Sequence, residues 1–326
     1  MTKYLDRVQK PWSAEHIEAA IFDSFTDARE AIEETPGGVL WNSLHSLEDT
    51  RFIFEESVSD LLDEISLFAD RSKNPAFWNR ANSDQAEIHQ RNVKRRLFYS
   101  TSALMALVDH ARNFERSYPV KGYLEKLSEE FSTPNLHAFL QDLRNFNSHW
   151  RIAEANWEIS TDFQAKSRMA RFLVSKEDLL AWSGWKADAR QFIGEASEKL
   201  DIYDLFKTYR KHVTDFYGWH KGQVVEQYSG TIGEYLVYKR QYEGISKKYH
   251  WNLIISHAPK NINPYQYLDR YLTEQELEKV LALPHRSKEQ VHAIIQAFDM
   301  EGFCDDKLRE KIEAIFIKDE SKDKSI

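Results

Sequence analysis

Residues 135–150 read NLHAFLQDLRNFNSHW. At about 100° per residue, Leu136, Phe139, Leu140, Leu143, Phe146 and Trp150 fall in one stripe, the pattern of a helix with one face against a core. Arg144, Asn145, Ser148 and His149 fall outside that stripe. Asn145 and His149 are four apart and so neighbours one turn along. Arg144 lies about 140° from His149, but its long side chain can swing toward a shared centre. The helix therefore packs with one face and presents Arg, Asn and His with the other. Thr133-Pro134 supplies its start signal, with the hydroxyl as cap and the proline in the first turn.

Helical periodicity continues on both sides. Ser13 caps a helix to about Thr35, with Ile17, Ile21, Phe22 and Phe25 on one side, and Pro36-Gly37-Gly38 stops it. Val39 to Asp70 is a long helix broken by Asn74-Pro75. Ser83 to Arg116 is another, and its stretch Leu97 to Val108 is apolar enough to be buried on most sides. A short helix covers Lys121 to Phe131. After Ala153 the pattern changes to alternation (Trp157, Ile159, Thr161, Phe163, then Phe172 and Val174), which reads as a β-hairpin. Ser175 to Asp178 is a capping box that restarts helix. Helix resumes from Trp185 to Ala196, and again from Asp201 to about Tyr249 with a break near Gly218 or Gly222. Trp251 to Ser256 reads as a strand or buried turn and Asn261 to Pro264 as loop. Thr273 to Leu283 and Ser287 to Phe298 are helices with capping boxes, and the tail from Asp319 is charged. The fold class is mainly α: a helical bundle with a small β-hairpin insertion after the motif helix and extra helices at both ends. It divides into an N-terminal helix over 1–36, a bundle over 37–222 with its hairpin near 156–175, and a C-terminal helical region over 223–326.

Composition narrows the function classes. A hydrophobic share of 42% with 13% aromatics and nine Trp excludes a disordered chain. A net charge of −8 argues against a sequence-independent grip on DNA, because phosphate neutralisation supplies that affinity. The runs Lys94, Arg95, Arg96 and Lys207, Arg210, Lys211 read as solvated surface ahead of a binding track. One cysteine, Cys304, builds neither a disulfide nor a thiolate zinc cluster within one chain. No apolar run of about 18 residues is present and no secretory signal opens the chain, so no membrane association and a cytoplasmic location are expected. No phosphate loop, dinucleotide fingerprint, nucleophile elbow or H-E-x-x-H spacing occurs. His212 and His220, with Asp215 between, read as a surface pair ahead of a metal site, and Arg286 with His292 as an ordinary helix start. No metal and no cofactor are expected.

The exposed trio of residues 144, 145 and 149 has the chemistry to cleave RNA without a metal. Histidine near neutral pH takes or gives a proton. Arginine holds charge on a phosphorane through paired donors. The amide orients a ribose or phosphate oxygen. The bland reading of the same residues is a solvated or dimer-packing helix face.

Arg144-Asn145-Phe146-Asn147-Ser148-His149 resembles the R-(polar)-x-x-x-H motif of the HEPN superfamily. Residues 85–222 also resemble a group of uncharacterised bacterial proteins that share a helix like Phe98 to Arg112, a hairpin, a stretch like Leu179 to Trp185 and a helix like Val213 to Trp219. The resemblance implies a helical bundle, often a homodimer paired through the motif helix. It implies a metal-independent endoribonuclease of toxin–antitoxin or phage-defence type, with RNA as substrate. Arg144 and His149 would be its catalytic pair and Asn145 the polar helper. The alternative is a non-catalytic helical binding or scaffold protein in which the Arg/His motif is structural.

Overall fold

The structure is a computed structural model that describes residues 2–153, 156–162, 167–259, 262–298, 300 and 302–317. In chain order its helices are α1 (Ala14–Asp23), α2 (Phe25–Glu33), α3 (Pro36–Ser72), α4 (Ser83–Ser117), α5 (Tyr123–Glu130) and α6 (Leu136–His149). Next come the strands β1 (Asn156–Asp162) and β2 (Ser167–Ser175), then α7 (Lys176–Leu180), α8 (Ala187–Glu195) and the strand β3 (Lys199–Asp201). The chain continues with α9 (Ile202–Gln227), α10 (Ser229–His257), α11 (Glu274–Leu281), α12 (Lys288–Ala297) and α13 (Asp306–Phe316). The protein is mainly helical with one small antiparallel sheet, in the order β1-β2-β3.

The chain forms two compact units, Leu40–Ser229 and a discontinuous one made of Met1–Val39 with Gly230–Ile326. The sequence pattern keeps the two ends apart and divides the chain at 36 and 222. The ends meet through bonds that periodicity does not reveal: Trp12 N donates to the Tyr238 hydroxyl (3.1 Å), and the Tyr242 hydroxyl donates to Phe25 O (3.2 Å). The C-terminal part of this unit closes over Leu268, Val280, Val291, Ile294, Met300, Leu308 and Ile312, all buried.

In the Leu40–Ser229 unit, α3, α4, α6 and α9 supply the core. Phe54, Val58, Leu61, Leu97, Leu104, Phe139, Leu143, Phe146, Phe206 and Phe216 are buried there. Each such side chain contributes about 1.5–3 kcal/mol on burial. Polar side chains pin α3 to α4. Buried Glu64 accepts from His89 Nδ1 (2.5 Å) and pairs with Arg96 (3.1 Å), while Arg71 donates to His89 Nε2 (3.2 Å). Farther along, Thr50 Oγ1 bonds His110 Nδ1 (2.7 Å) and the Ser100 hydroxyl donates to Ser57 O (2.9 Å). Arg96 of the basic run is thus committed to a core carboxylate. In the sheet, β1 pairs with β2 from Asn156 opposite Leu173 to Asp162 opposite Ser167. The hairpin thus forms where alternation places it; Phe163 lies outside the described residues. The third strand is not expected from sequence, because three residues are too short to carry an alternation.

Other expectations are corrected. The helix expected from Ser13 to Thr35 is two helices, since Ser24 adopts an extended backbone and caps α2 by accepting from Asp27 N. Phe22 and Phe25, at 66% and 54% exposure, are not on a buried side. Pro36-Gly37-Gly38 starts α3 instead of stopping a helix: Gly38 N donates to the Thr35 hydroxyl, and a Cβ on Gly37 would stand 2.1 Å from Thr231 O. Leu97 to Val108 is buried along one face only, with Tyr99 exposed. The long helix after Asp201 breaks at Tyr228, not at Gly218 or Gly222, which both sit in open space inside α9. Trp251 to Ser256 is helical, the end of α10. Ser175 and Ser287 do cap α7 and α12. Each is only half of a box: the Asp178 carboxylate takes Arg151, and the Gln290 side chain accepts from Arg286 N and donates to Val280 O. The charged tail from Asp319 and Asn261 lie outside the described residues.

Candidate functional site

The motif helix α6 is held by the side it buries. Leu136, Phe139, Leu140, Leu143 and Phe146 are all buried as the stripe requires. Phe146 stacks on Trp185 (5.4 Å between ring centres) and meets Trp182 edge-on, and Phe139 stacks on Phe192 (4.9 Å). Buried Asp142 adds a polar anchor by accepting from Lys186 N at 2.8 Å. The start of α6 differs from the sequence expectation. Asn135 precedes it in a left-handed conformation and makes no side-chain cap, and the Thr133 hydroxyl bonds His212 Nε2 (3.1 Å) instead.

The outward side carries the three residues singled out by sequence. Arg144 and Asn145 are half-buried, and Arg144 Nη1 donates to Asn145 Oδ1 at 3.2 Å. His149 is the last residue of α6 and is exposed. Among the described residues its ring has no hydrogen-bond partner, and neither Arg144 nor His149 bonds another element. The helix thus brings Arg144 and Asn145 into contact and leaves the imidazole open to solvent.

Three nearby residues escape the sequence pattern. Trp150 shares the period of the buried stripe, yet it is the C-cap and 43% exposed, resting edge-on against Phe146 (5.1 Å). The Arg151 guanidinium lies over the Trp150 ring (4.7 Å) and bonds both the carbonyl (3.3 Å) and carboxylate (3.2 Å) of Asp178. Asn147 is buried, accepts from Ala153 N (2.9 Å) and donates to the Thr101 hydroxyl (3.4 Å). It ties the chain beyond α6 back to the helix at Ala153. One signal points to Asn147: it is a polar residue flanking Phe146 on the inward side of the stripe.

The remaining titratable candidates are accounted for elsewhere. Burial lowers the pKa of His212, and pushes that of His220 down to about 4. Burial raises the Cys304 thiol, which disfavours the reactive thiolate. Among the described residues no group of three His, Cys, Asp or Glu is placed to hold a metal ion. No helix among them is long and apolar enough to cross a membrane. No family model, curated protein or solved structure matches the chain.

Proposed function

We propose that the protein is a metal-independent endoribonuclease of HEPN type, with RNA as its substrate. His149 moves the proton between the ribose 2′-hydroxyl and the leaving 5′-oxygen. Arg144 stabilises the charge on the phosphorane, and Asn145 orients Arg144 through the bond between them. The products are a 2′,3′-cyclic phosphate and a 5′-hydroxyl. The observation that carries this reading is the contrast along α6: a packed inward face, and an outward Arg and His that, among the described residues, bond no other element. That contrast also weakens the rival in which the pair is a structural tie between helices.

The carboxyl end of a helix carries partial negative charge, so a phosphate there needs cations. Arg144 supplies one, whereas Arg151 is already paired with Asp178. Trp150, exposed beside His149, offers a face on which a base stacks. The same reading pairs two copies through α6, with Trp150 and Ile152 (44% exposed) as apolar surface at the join.

The test is cleavage of a mixed tRNA and mRNA pool in EDTA by wild type, His149→Ala and Arg144→Ala. The expected result is cleavage by wild type alone, with ends that carry a cyclic phosphate. Cleavage that persists in His149→Ala, or that stops when EDTA is added, overturns the assignment.

A further inference from the structure

A cavity of about 220 Å³ lies among α4, α5, α6 and α9, away from the exposed end of α6. Its walls are apolar, from Leu104, Leu107, Leu127 and Val213 among others. Its polar side chains include His137 and three tyrosines, Tyr123, Tyr209 and Tyr217. Gln141 Nε2 donates to His137 Nε2 (2.7 Å), which leaves the His137 proton on Nδ1 and directs it to the Tyr209 hydroxyl oxygen (2.6 Å). Burial holds the ring neutral, with its pKa down to about 4. The Tyr209 hydroxyl proton is then left without an acceptor among the described residues. Tyr123 and Tyr217 also line the cavity, and their hydroxyls have no partner among the described residues. Arg112 stands at the mouth, its side chain 59% exposed and 3.6 Å from Asp109, and its charge reaches both phenols and His137. Among the described residues no carboxylate lines the cavity. Glu115, whose charge also reaches Tyr123, accepts from Val120 N.

Unmet phenol donors and a guanidinium around an apolar chamber call for a ligand with an anionic end and an apolar body. A dry apolar cavity of about 150 Å³ accommodates benzene, so this one takes such a ring with a carboxylate arm. We propose that this cavity is a binding site for a small aromatic monocarboxylate, its ring among the leucines and its carboxylate between Arg112 and the phenols. The site is separate from the motif: His137 and His149 are twelve residues apart on α6, about 18 Å. It stands whether or not the protein cuts RNA.

The experiment is calorimetric titration of the full chain with phenylacetate and, separately, with the isosteric neutral phenylacetamide. Three variants are run beside wild type: Arg112→Gln, Tyr217→Phe and the cavity-filling Leu107→Trp. Arg112 is exposed at the mouth, so its variant keeps the fold even where Leu107→Trp does not. Wild type is expected to prefer phenylacetate at least tenfold, the value of one good charged hydrogen bond. Arg112→Gln is expected to erase that preference and Tyr217→Phe to weaken phenylacetate severalfold. Leu107→Trp, where it melts like wild type, is expected to bind neither. Equal binding of acid and amide, no binding of either, or a preference unchanged in Arg112→Gln overturns the proposal.

Discussion

Replacing Asn147 with Ala leaves the Ala153 N–H without its acceptor. That amide belongs to a residue with 0% exposure, and the 2.9 Å bond to Asn147 Oδ1 is its partner. A buried donor left unmet costs about 1–3 kcal/mol. The second bond, at 3.4 Å to Thr101, adds little, because the Thr101 hydroxyl keeps Phe98 O at 3.0 Å. A loss near 2 kcal/mol corresponds to a fall in Tm of about 4–8 °C for a unit of this size. Arg144→Ala and His149→Ala remove side chains that, among the described residues, bond no other element, so each should stay within about 0.5 kcal/mol of wild type. The assay is thermal unfolding by circular dichroism at about pH 7.5, run on all three variants. Asn147→Ala melting within about 1 °C of wild type, or Arg144→Ala falling as far as Asn147→Ala, would refute this division of labour along α6. The first result would mean that the amide finds water once Asn147 is gone. The second would mean that Arg144 is structural after all.

Acid should destabilise the protein early. His220, packed between Phe114 and Phe216 with its Nε2 unpartnered, has a folded pKa of about 4, against an ordinary imidazole value of 6.5, while nearby Glu48 acts the other way. The unfolded chain therefore takes up its proton first as the pH falls through about 6.5, and the loss is complete below about 4; it amounts to about 2 kcal/mol at about pH 5. His220→Phe should accordingly shrink the Tm difference between about pH 7.5 and pH 5, and an unchanged difference would count against it. Two glycines should respond with opposite signs in urea unfolding. Gly37→Ala drives a methyl into the Thr231 carbonyl and should cost about 1–3 kcal/mol. Gly222→Ala meets open space in mid-helix and should gain up to about 1 kcal/mol.

Much of the fold is legible in the sequence because it rests on local signals. The hydroxyl caps at Ser13, Ser175, Thr273 and Ser287 act within three residues of themselves, and the structure keeps all four. The apolar stripe of α6 is likewise a local period. The failures share a cause. Pro36-Gly37-Gly38 reads as a stop by residue type, but proline suits a first helical turn, and Gly37 is small because α10 passes against it. The break at Tyr228 falls two residues before Gly230, while Gly218 and Gly222, which offer the same signal, are ordinary helix residues. Punctuation by residue type cannot separate a stop from a start when the deciding contact is with Thr231, far along the chain.

The candidate site divides the same way. Arg144, Asn145 and His149 are found by spacing because they occupy one helix, and their outward placement results from where the stripe points. Trp150 has the same period as the stripe, yet the helix ends at His149 and the next residue leaves the helical path. From there helical angles no longer say which way a side chain faces. What brings the chain back in beyond the helix is Asn147, whose partners are buried Ala153 and Thr101 on another helix. A polar residue on the inward face of an apolar stripe has to be hydrogen-bonded, because an unpaired amide there costs more than a packed leucine would contribute. Such a residue is the place where a helix of this kind trades stability for the placement of the chain beyond it. By that argument the amide at 147, which lies on the wrong face to touch a substrate, holds the segment that follows the histidine.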